Sequence, residues 1–246
     1  MTSAAGRLLL IPAPLEQVAE PRAWLCESDR QLAGSLARFY VETPKTARRW
    51  LKALPTVLPL QSLQVKPLPP ADARTVWQEW LAPMIDGQTV GLLSDAGCPG
   101  VADPGALLVR AAHAAGIEVH PLIGPSSLLL ALMASGLNGQ RFSFQGYLPV
   151  ERAERLQALE RLSRRSAEGQ ETVVLIETPY RNQAMADSLL QALPGGSQLC
   201  IAVDLTGRSQ SVLTRPVQAW RRAPPALPRK LPAVFLFLCL PASPAR

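Results

Sequence analysis

Thr89 to Gly136 reads TVGLLSDAGCPGVADPGALLVRAAHAAGIEVHPLIGPSSLLLALMASG, and its alternation decides the fold. Thr89–Leu93 is a short apolar run with no polar side, the pattern of a strand covered on both faces. A loop of two aspartates, glycines and prolines follows. Apolar spacing predicts a helix over 105–115 closed by Gly116, a strand over 117–122, and a helix over 126–135 closed by Gly136. Two strands joined through a helix imply parallel pairing, so this stretch is a βαβα unit of an α/β fold.

Working outward, Arg7–Ile11 is a buried strand stopped by Pro12 and Pro14. Phe39–Val41 is a second strand. It leads into a helix from Thr43 through Leu54, with Pro44 in its first turn. A strand over Ser62–Pro67 and a helix over Asp72–Ile85 complete the part before Thr89. Beyond Gly146-Tyr147-Leu148-Pro149 the texture changes to a charged helix over Glu151–Arg165, a strand over Thr172–Ile176, a helix over 180–192, and strands over Leu199–Val203 and Ala233–Leu240. We expect two α/β domains, residues 1–140 and 147–246 with a linker at 141–146, the first sheet mostly parallel and the second mixed.

The chain has 246 residues, 48% of them hydrophobic and 18% charged, enough to bury a large core and incompatible with disorder or a coiled coil. Its apolar runs of about eight residues fall far short of the roughly twenty that a membrane helix needs. The N-terminus also lacks a signal-length apolar stretch, so the sequence reads as cytoplasmic. Cys26, Cys98, Cys200 and Cys239 stand far apart without a CxxC pair, and the only histidines are His113 and His120. Free thiols in a reducing compartment are the expectation, and no metal site. Net charge is +6, and no acidic residue follows Asp204. The arginines beyond it offer a positive surface to an anionic partner or simply a solvated one.

Ligands of open α/β sheets bind at the carboxyl ends of strands. The loops there are Ile11-Pro12-Ala13-Pro14-Leu15, Ser94-Asp95-Ala96-Gly97-Cys98-Pro99 continuing to Ala102-Asp103-Pro104-Gly105, Ile123-Gly124-Pro125-Ser126-Ser127, and Ile176-Glu177-Thr178-Pro179-Tyr180-Arg181. Asp103 suits an Asx turn and helix cap, whereas Asp95 is free for a ligand. One serine of the pair 126–127 is explained by capping, and the second points to a bound polar group. Glu177 with Arg181 reads equally as an ion pair or as site chemistry. No phosphate-cradling GxGxxG or GxxxxGK[ST] occurs.

The spacing of SDAGCPGVADPG, IGPSSLLLALMASGL and FQGYLP, with IETPYR and AVDLT after them, resembles the tetrapyrrole methylase superfamily, and within it the ribosomal RNA small-subunit methyltransferase I family. The resemblance implies a two-domain homodimer holding S-adenosylmethionine in a cleft between domains, without metal, and methylating a cytidine 2′-oxygen of the ribosomal subunit. It implies cofactor contacts at Leu15, Asp95, Cys98, Ser126, Ser127 and Leu128 from the first half. From the second half it implies Ile176, Val203, Leu205, Pro232 and Ala233.

The acceptor side departs from the family. An expected Ala-Glu-Asp-Thr-Arg stretch is Val41-Glu42-Thr43-Pro44-Lys45, and an expected Arg-Glu-Leu-Thr-Lys is Val203-Asp204-Leu205-Thr206-Gly207 with Gln210 beyond. Methyl transfer to a hydroxyl needs a base, for which Glu42, Glu177 and Asp204 are the strand-end candidates. Three functions follow: an RNA methyltransferase, a small-molecule methylase of tetrapyrrole type, or a non-catalytic protein that binds the cofactor or RNA.

Overall fold

The structure, a computed structural model, describes residues 6–15, 24–70 and 76–240. It forms two units, Met1–Ser126 and Ser127–Arg246.

The first unit holds β1 (Arg7–Ile11), α1 (Glu27–Gly34), β2 (Arg38–Val41), α2 (Pro44–Lys52), β3 (Gln64–Pro67), α3 (Trp77–Ile85), β4 (Val90–Leu93), α4 (Gly105–Ala114) and β5 (Glu118–Pro121). Its sheet runs β3-β2-β4-β1-β5, every pairing parallel. The unbroken apolar runs have the expected cause, since both faces are covered. Leu9, Ile11, Phe39 and Leu93 pack with Trp50 and Leu51 of α2 on one side. Leu8, Val90 and Leu92 pack with Trp80 and Leu108 of α3 and α4 on the other. Gly91 on β4 leaves room for this packing, because a Cβ there would lie 2.8 Å from both Ile11 and Phe39 side chains.

The second unit comprises α5 (Ser127–Ser135), β6 (Phe142–Phe144), α6 (Arg152–Gly169), β7 (Thr172–Glu177), α7 (Asn182–Ala192), β8 (Gln198–Val203), β9 (Ser211–Pro216), α8 (Val217–Arg222) and β10 (Ala233–Leu238). Its sheet is mixed, in the order β6-β7-β10-β8-β9, with only β6 and β7 parallel. Phe235 and Phe237 of β10 lie wholly inside its core with Leu159, Leu175 and Leu189.

The division falls earlier in the chain than the sequence suggests. Residues 141–146 are not a free linker, since Phe142–Phe144 is an edge strand in register with Thr172–Val174. The helix α5 also packs on β8, β9 and β10 of the second sheet. A three-residue strand is too short to show a period. Four elements have no visible signal in the sequence: α1, β6, α8 and β9, the last an edge strand alternating exposed and half-buried positions. Elsewhere the ends shift by a few residues. The charged helix extends to Gly169, where Gln170 closes it in the left-handed conformation at φ 49°, and the last strand stops at Leu238. Residues 72–75, where the spacing predicts the start of a helix, lie outside the described residues.

Candidate functional site

In the first unit three loops at the carboxyl ends of β1, β4 and β5 are tied together. Ala13 and Gly97 exchange backbone hydrogen bonds of 2.8 and 3.0 Å, joining the first loop to the second. The Cys98 thiol donates to the Pro125 carbonyl at 3.4 Å, joining the second to the third. Gly124 lies so close to Pro12 that no Cβ fits there, which joins the third back to the first. Sheet order explains the convergence: β1 lies between β4 and β5, so their three ends are neighbours.

Within this cluster Gly97 and Gly100 have φ of 71° and 81°, conformations that glycine adopts at no steric cost. A Cβ on Gly97 would lie 3.5 Å from the Leu15 side chain, so Leu15 borders the same loop. Burial pushes the Cys98 thiol pKa above its ordinary value and keeps it neutral. Ser126 ends this unit and Ser127 and Leu128 open α5. Among the described residues neither serine hydroxyl forms a hydrogen bond, so capping accounts for neither. Asp103 is structural, as expected, for its Oδ1 accepts from Gly100 at 2.8 Å and Gly105 at 2.7 Å and so fixes the start of α4.

Asp95 is not simply a free ligand. Its Oδ1 accepts from the Thr43 backbone N–H at 3.1 Å, just before α2. Its own N–H donates to Glu42 Oε2 at 3.1 Å, and its carbonyl accepts from Trp50 Nε1 at 3.3 Å. The β2–α2 and β4–α4 loops are thus clamped to each other. This clamp is not legible in the sequence, because Glu42 and Asp95 stand 53 residues apart and only the β2–β4 pairing makes them neighbours.

The three carboxylates singled out as possible bases differ sharply. Glu177 is buried and engaged: Oε1 accepts from the Thr178 N–H at 2.7 Å. Oε2 lies 2.9 Å from Arg181 Nη2, an ion pair bent too far for a hydrogen bond. Asp204 closes its own loop, with Oδ2 accepting from the Ser209 N–H at 2.8 Å. Its carboxylate occupies the space that a side chain at Gly207 would need. Gln210 finishes the turn by accepting from the Thr206 N–H at 2.7 Å. Asp204 and Thr206 themselves have φ of 52° and 70°.

Glu42 has no cation against it among the described residues. Protein crowding its carboxyl raises its pKa from the usual carboxylate value. The Asp95 N–H acts against that rise, and the neighbouring Asp95 and Asp103 charges reinforce it. A carboxylate so placed is a better proton acceptor than a free one.

In the second unit the expected residues gather at one end of the sheet, where β7 and β8 finish and the antiparallel β10 begins. Ala233 pairs with both Glu177 and Val203, and Val234 with Ile176. The Asp204 N–H donates to the Pro232 carbonyl at 3.0 Å, and Leu205 is buried beside them. All four cysteines are free thiols. Among the described residues no group of three or more His, Cys, Asp or Glu side chains is placed to hold a metal ion.

Comparison with known proteins gives a consistent set of likenesses. The family model of tetrapyrrole (corrin/porphyrin) methylases matches residues 40–219. The ribosomal RNA small subunit methyltransferase I of Xylella fastidiosa is 30% identical over 213 residues, 86% of this chain and 72% of that one. That of Mycobacterium bovis is 33% identical over 212 residues, 85% and 70%. That of Synechocystis sp. is 41% identical over 129 residues, 52% of this chain and 45% of that one. The chain therefore spans about half the length of several such relatives and more than two thirds of others. Among solved structures, the methyltransferase CobJ superposes with a TM-score of 0.59 at 19% identity, over 96% of this chain and 95% of that one. The uroporphyrin III C-methyl transferase of Thermus thermophilus gives 0.55 at 17%, over 95% and 97%. At such identities these two establish a shared fold.

Proposed function

Because this chain belongs to the tetrapyrrole (corrin/porphyrin) methylase family, and within it to the ribosomal RNA small subunit methyltransferase I group, we propose that it is an S-adenosylmethionine-dependent methyltransferase acting on a ribose 2′-hydroxyl of ribosomal RNA. The observation that carries the reading is the tied cluster of loops 12–15, 94–100 and 122–126 with the Glu42 carboxylate clamped beside it.

The residues present suit the cofactor. Glycine backbones at 97 and 100 allow close approach, the neutral Cys98 and apolar Leu15 and Leu128 suit an adenosine, and the hydroxyls of Ser126 and Ser127 are available to its polar groups. In the second unit Ile176, Val203, Leu205, Pro232 and Ala233 offer apolar side chains and backbone groups that suit the same ligand. When bound, S-adenosylmethionine supplies an electrophilic methyl on a sulfonium, which a nucleophile takes by in-line displacement.

The protein's share is position and one proton. Holding the acceptor oxygen at attack distance contributes up to roughly 7–11 kcal/mol. The Glu42 carboxylate takes the hydroxyl proton as the new O–C bond forms; the Asp95 N–H holds Oε2, which leaves Oε1 for the acceptor. Asp95 orients Glu42 through that bond and fixes Thr43 through its carboxylate. Glu177 and Asp204, both engaged within their loops, shape the second unit. The proposal includes a homodimer and a cytoplasmic location. The exposed Leu129 and Met133, one turn apart on α5, support pairing with a second copy. No helix among the described residues is long and apolar enough to cross a membrane.

Calorimetry with S-adenosylmethionine tests the first step. Saturation at 100 times the dissociation constant raises stability by about 2.7 kcal/mol when only the folded state binds. Labelled-methyl transfer to small ribosomal subunits lacking the modification tests the second. Absence of binding heat and of thermal stabilisation refutes the cofactor, and methyl transfer to a tetrapyrrole but not to RNA refutes the acceptor.

A further inference from the structure

The helix α2 carries a charge pattern that neither the fold nor the proposed cofactor site uses. Its only ionisable residues are Lys45, Arg48, Arg49 and Lys52, all exposed, and it has no acidic residue. At about 100° per residue these four positions fall within one arc of roughly 100°. Ala47, Trp50, Leu51 and Leu54 occupy the opposite side and are buried. The stripe runs about 10 Å along the helix.

The arrangement is unfavourable for the helix itself. Lys45 and Arg49, like Arg48 and Lys52, are like charges at i,i+4. The helix dipole favours Arg49 and Lys52 in the last turn but opposes Lys45 in the first. Among the described residues no carboxylate forms an ion pair with any of the four; only the Arg49 guanidinium has a contact, 5.5 Å from the Trp50 ring centroid. The cations of the acid-free C-terminal segment are partly spent on the fold instead. Arg221 donates to the Leu190 and Leu193 carbonyls, both at 2.7 Å. Arg215 lies over the Trp220 ring.

The stripe also has a defined place. It begins three residues after Glu42, on the helix whose preceding residue, Thr43, has its N–H held by the Asp95 carboxylate. We propose that this face of α2 docks the phosphodiester backbone of a single-stranded RNA acceptor and thereby brings a ribose hydroxyl to Glu42. The inference rests on the reading of RNA as the acceptor. It adds the surface that positions the RNA and moves the main phosphate contacts from the C-terminal segment to α2. Such contacts set register and carry no base selectivity.

The test replaces all four cations in one variant, K45Q/R48Q/R49Q/K52Q, with R48K/R49K as a charge-preserving control. A fluorescein-labelled single-stranded oligoribonucleotide is titrated by anisotropy at several salt concentrations. If each side chain neutralises one phosphate, the fourfold variant loses about 2.8 from the slope of log K against log salt. The wild type then loses about 50-fold more affinity than the variant between 50 and 200 mM salt. The control keeps the wild-type slope, different oligonucleotide sequences are weakened alike, S-adenosylmethionine binding stays at its wild-type value, and the melting temperature stays at or slightly above it. An unchanged slope in a variant that still binds S-adenosylmethionine overturns the docking surface alone. A wild-type protein that binds the oligonucleotide at no salt concentration overturns the RNA acceptor and the docking surface together.

Discussion

Glu42→Gln separates proton transfer from structure more cleanly than any other substitution in the site. Glutamine is nearly isosteric, and its amide oxygen can still accept the Asp95 N–H, which lies 3.1 Å from Oε2. What disappears is the ability to take a proton. General-base catalysis typically contributes 10²- to 10⁴-fold, equivalent to about 2.7–5.4 kcal/mol of barrier. Turnover should fall within that range while S-adenosylmethionine affinity is kept. The pH profile carries a second signature. Crowding raises the Glu42 pKa, aided by Asp95 and Asp103, so wild-type turnover should climb until pH passes that raised value and then level off. The variant should lose that limb.

Stability moves the other way. A carboxyl whose folded pKa lies above its unfolded value contributes stability at pH below the unfolded value, and loses it as pH rises through the folded one. Above that raised value the ionised Glu42 is therefore a net strain, and the Gln variant should melt at or slightly above wild type there. The assay is labelled-methyl transfer to unmodified small ribosomal subunits from about pH 4.5 to 8, upward from the ordinary carboxylate value, beside calorimetry and thermal melts. Turnover within threefold of wild type across that range would refute Glu42 as the base. A loss of cofactor affinity matching the loss of turnover would assign the side chain to binding instead.

Asp95→Ala removes the acceptor for the Thr43 N–H and should cost about 1.5–3 kcal/mol of stability, the range for hydrogen bonds to a charged group. It should also weaken S-adenosylmethionine binding; an unchanged melt would show that the clamp contributes nothing. Arg221→Ala severs two guanidinium-to-carbonyl bonds at the end of α7 and should destabilise by about 1.5–3 kcal/mol. Arg222→Ala, at an exposed position with no such bonds, should stay within about 0.5 kcal/mol. Equal melting temperatures for the two variants would refute the structural role of Arg221.

Much of the architecture follows from local rules. Runs such as Val90–Leu93 and Thr172–Glu177 are apolar on both sides, and glycines at 116 and 136 close helices at φ of 71° and 70°. Pro44 starts α2 where its missing N–H costs nothing. The loops after β1, β4 and β5 stand out in the sequence because proline, glycine and aspartate concentrate there. The elements without a signal are short or at an edge. Three residues of β6 cannot display a period, and β9 owes its place to pairing with β8.

Two α/β units and the loops proposed to hold a methyl donor are legible in the sequence, because periodicity and turn chemistry act over a few neighbouring residues. How the three candidate carboxylates differ in their partners is a matter of the folded chain. Glu42, Glu177 and Asp204 are alike as strand-end acids. The partners of two of them are local, Arg181 four residues from Glu177 and the Ser209 N–H five from Asp204, whereas only the folded chain brings Asp95 from 53 residues away to hold Glu42, with no cation beside it among the described residues. Charge pairing and desolvation depend on distances in space, and strand order sets those distances across separations that no local pattern spans.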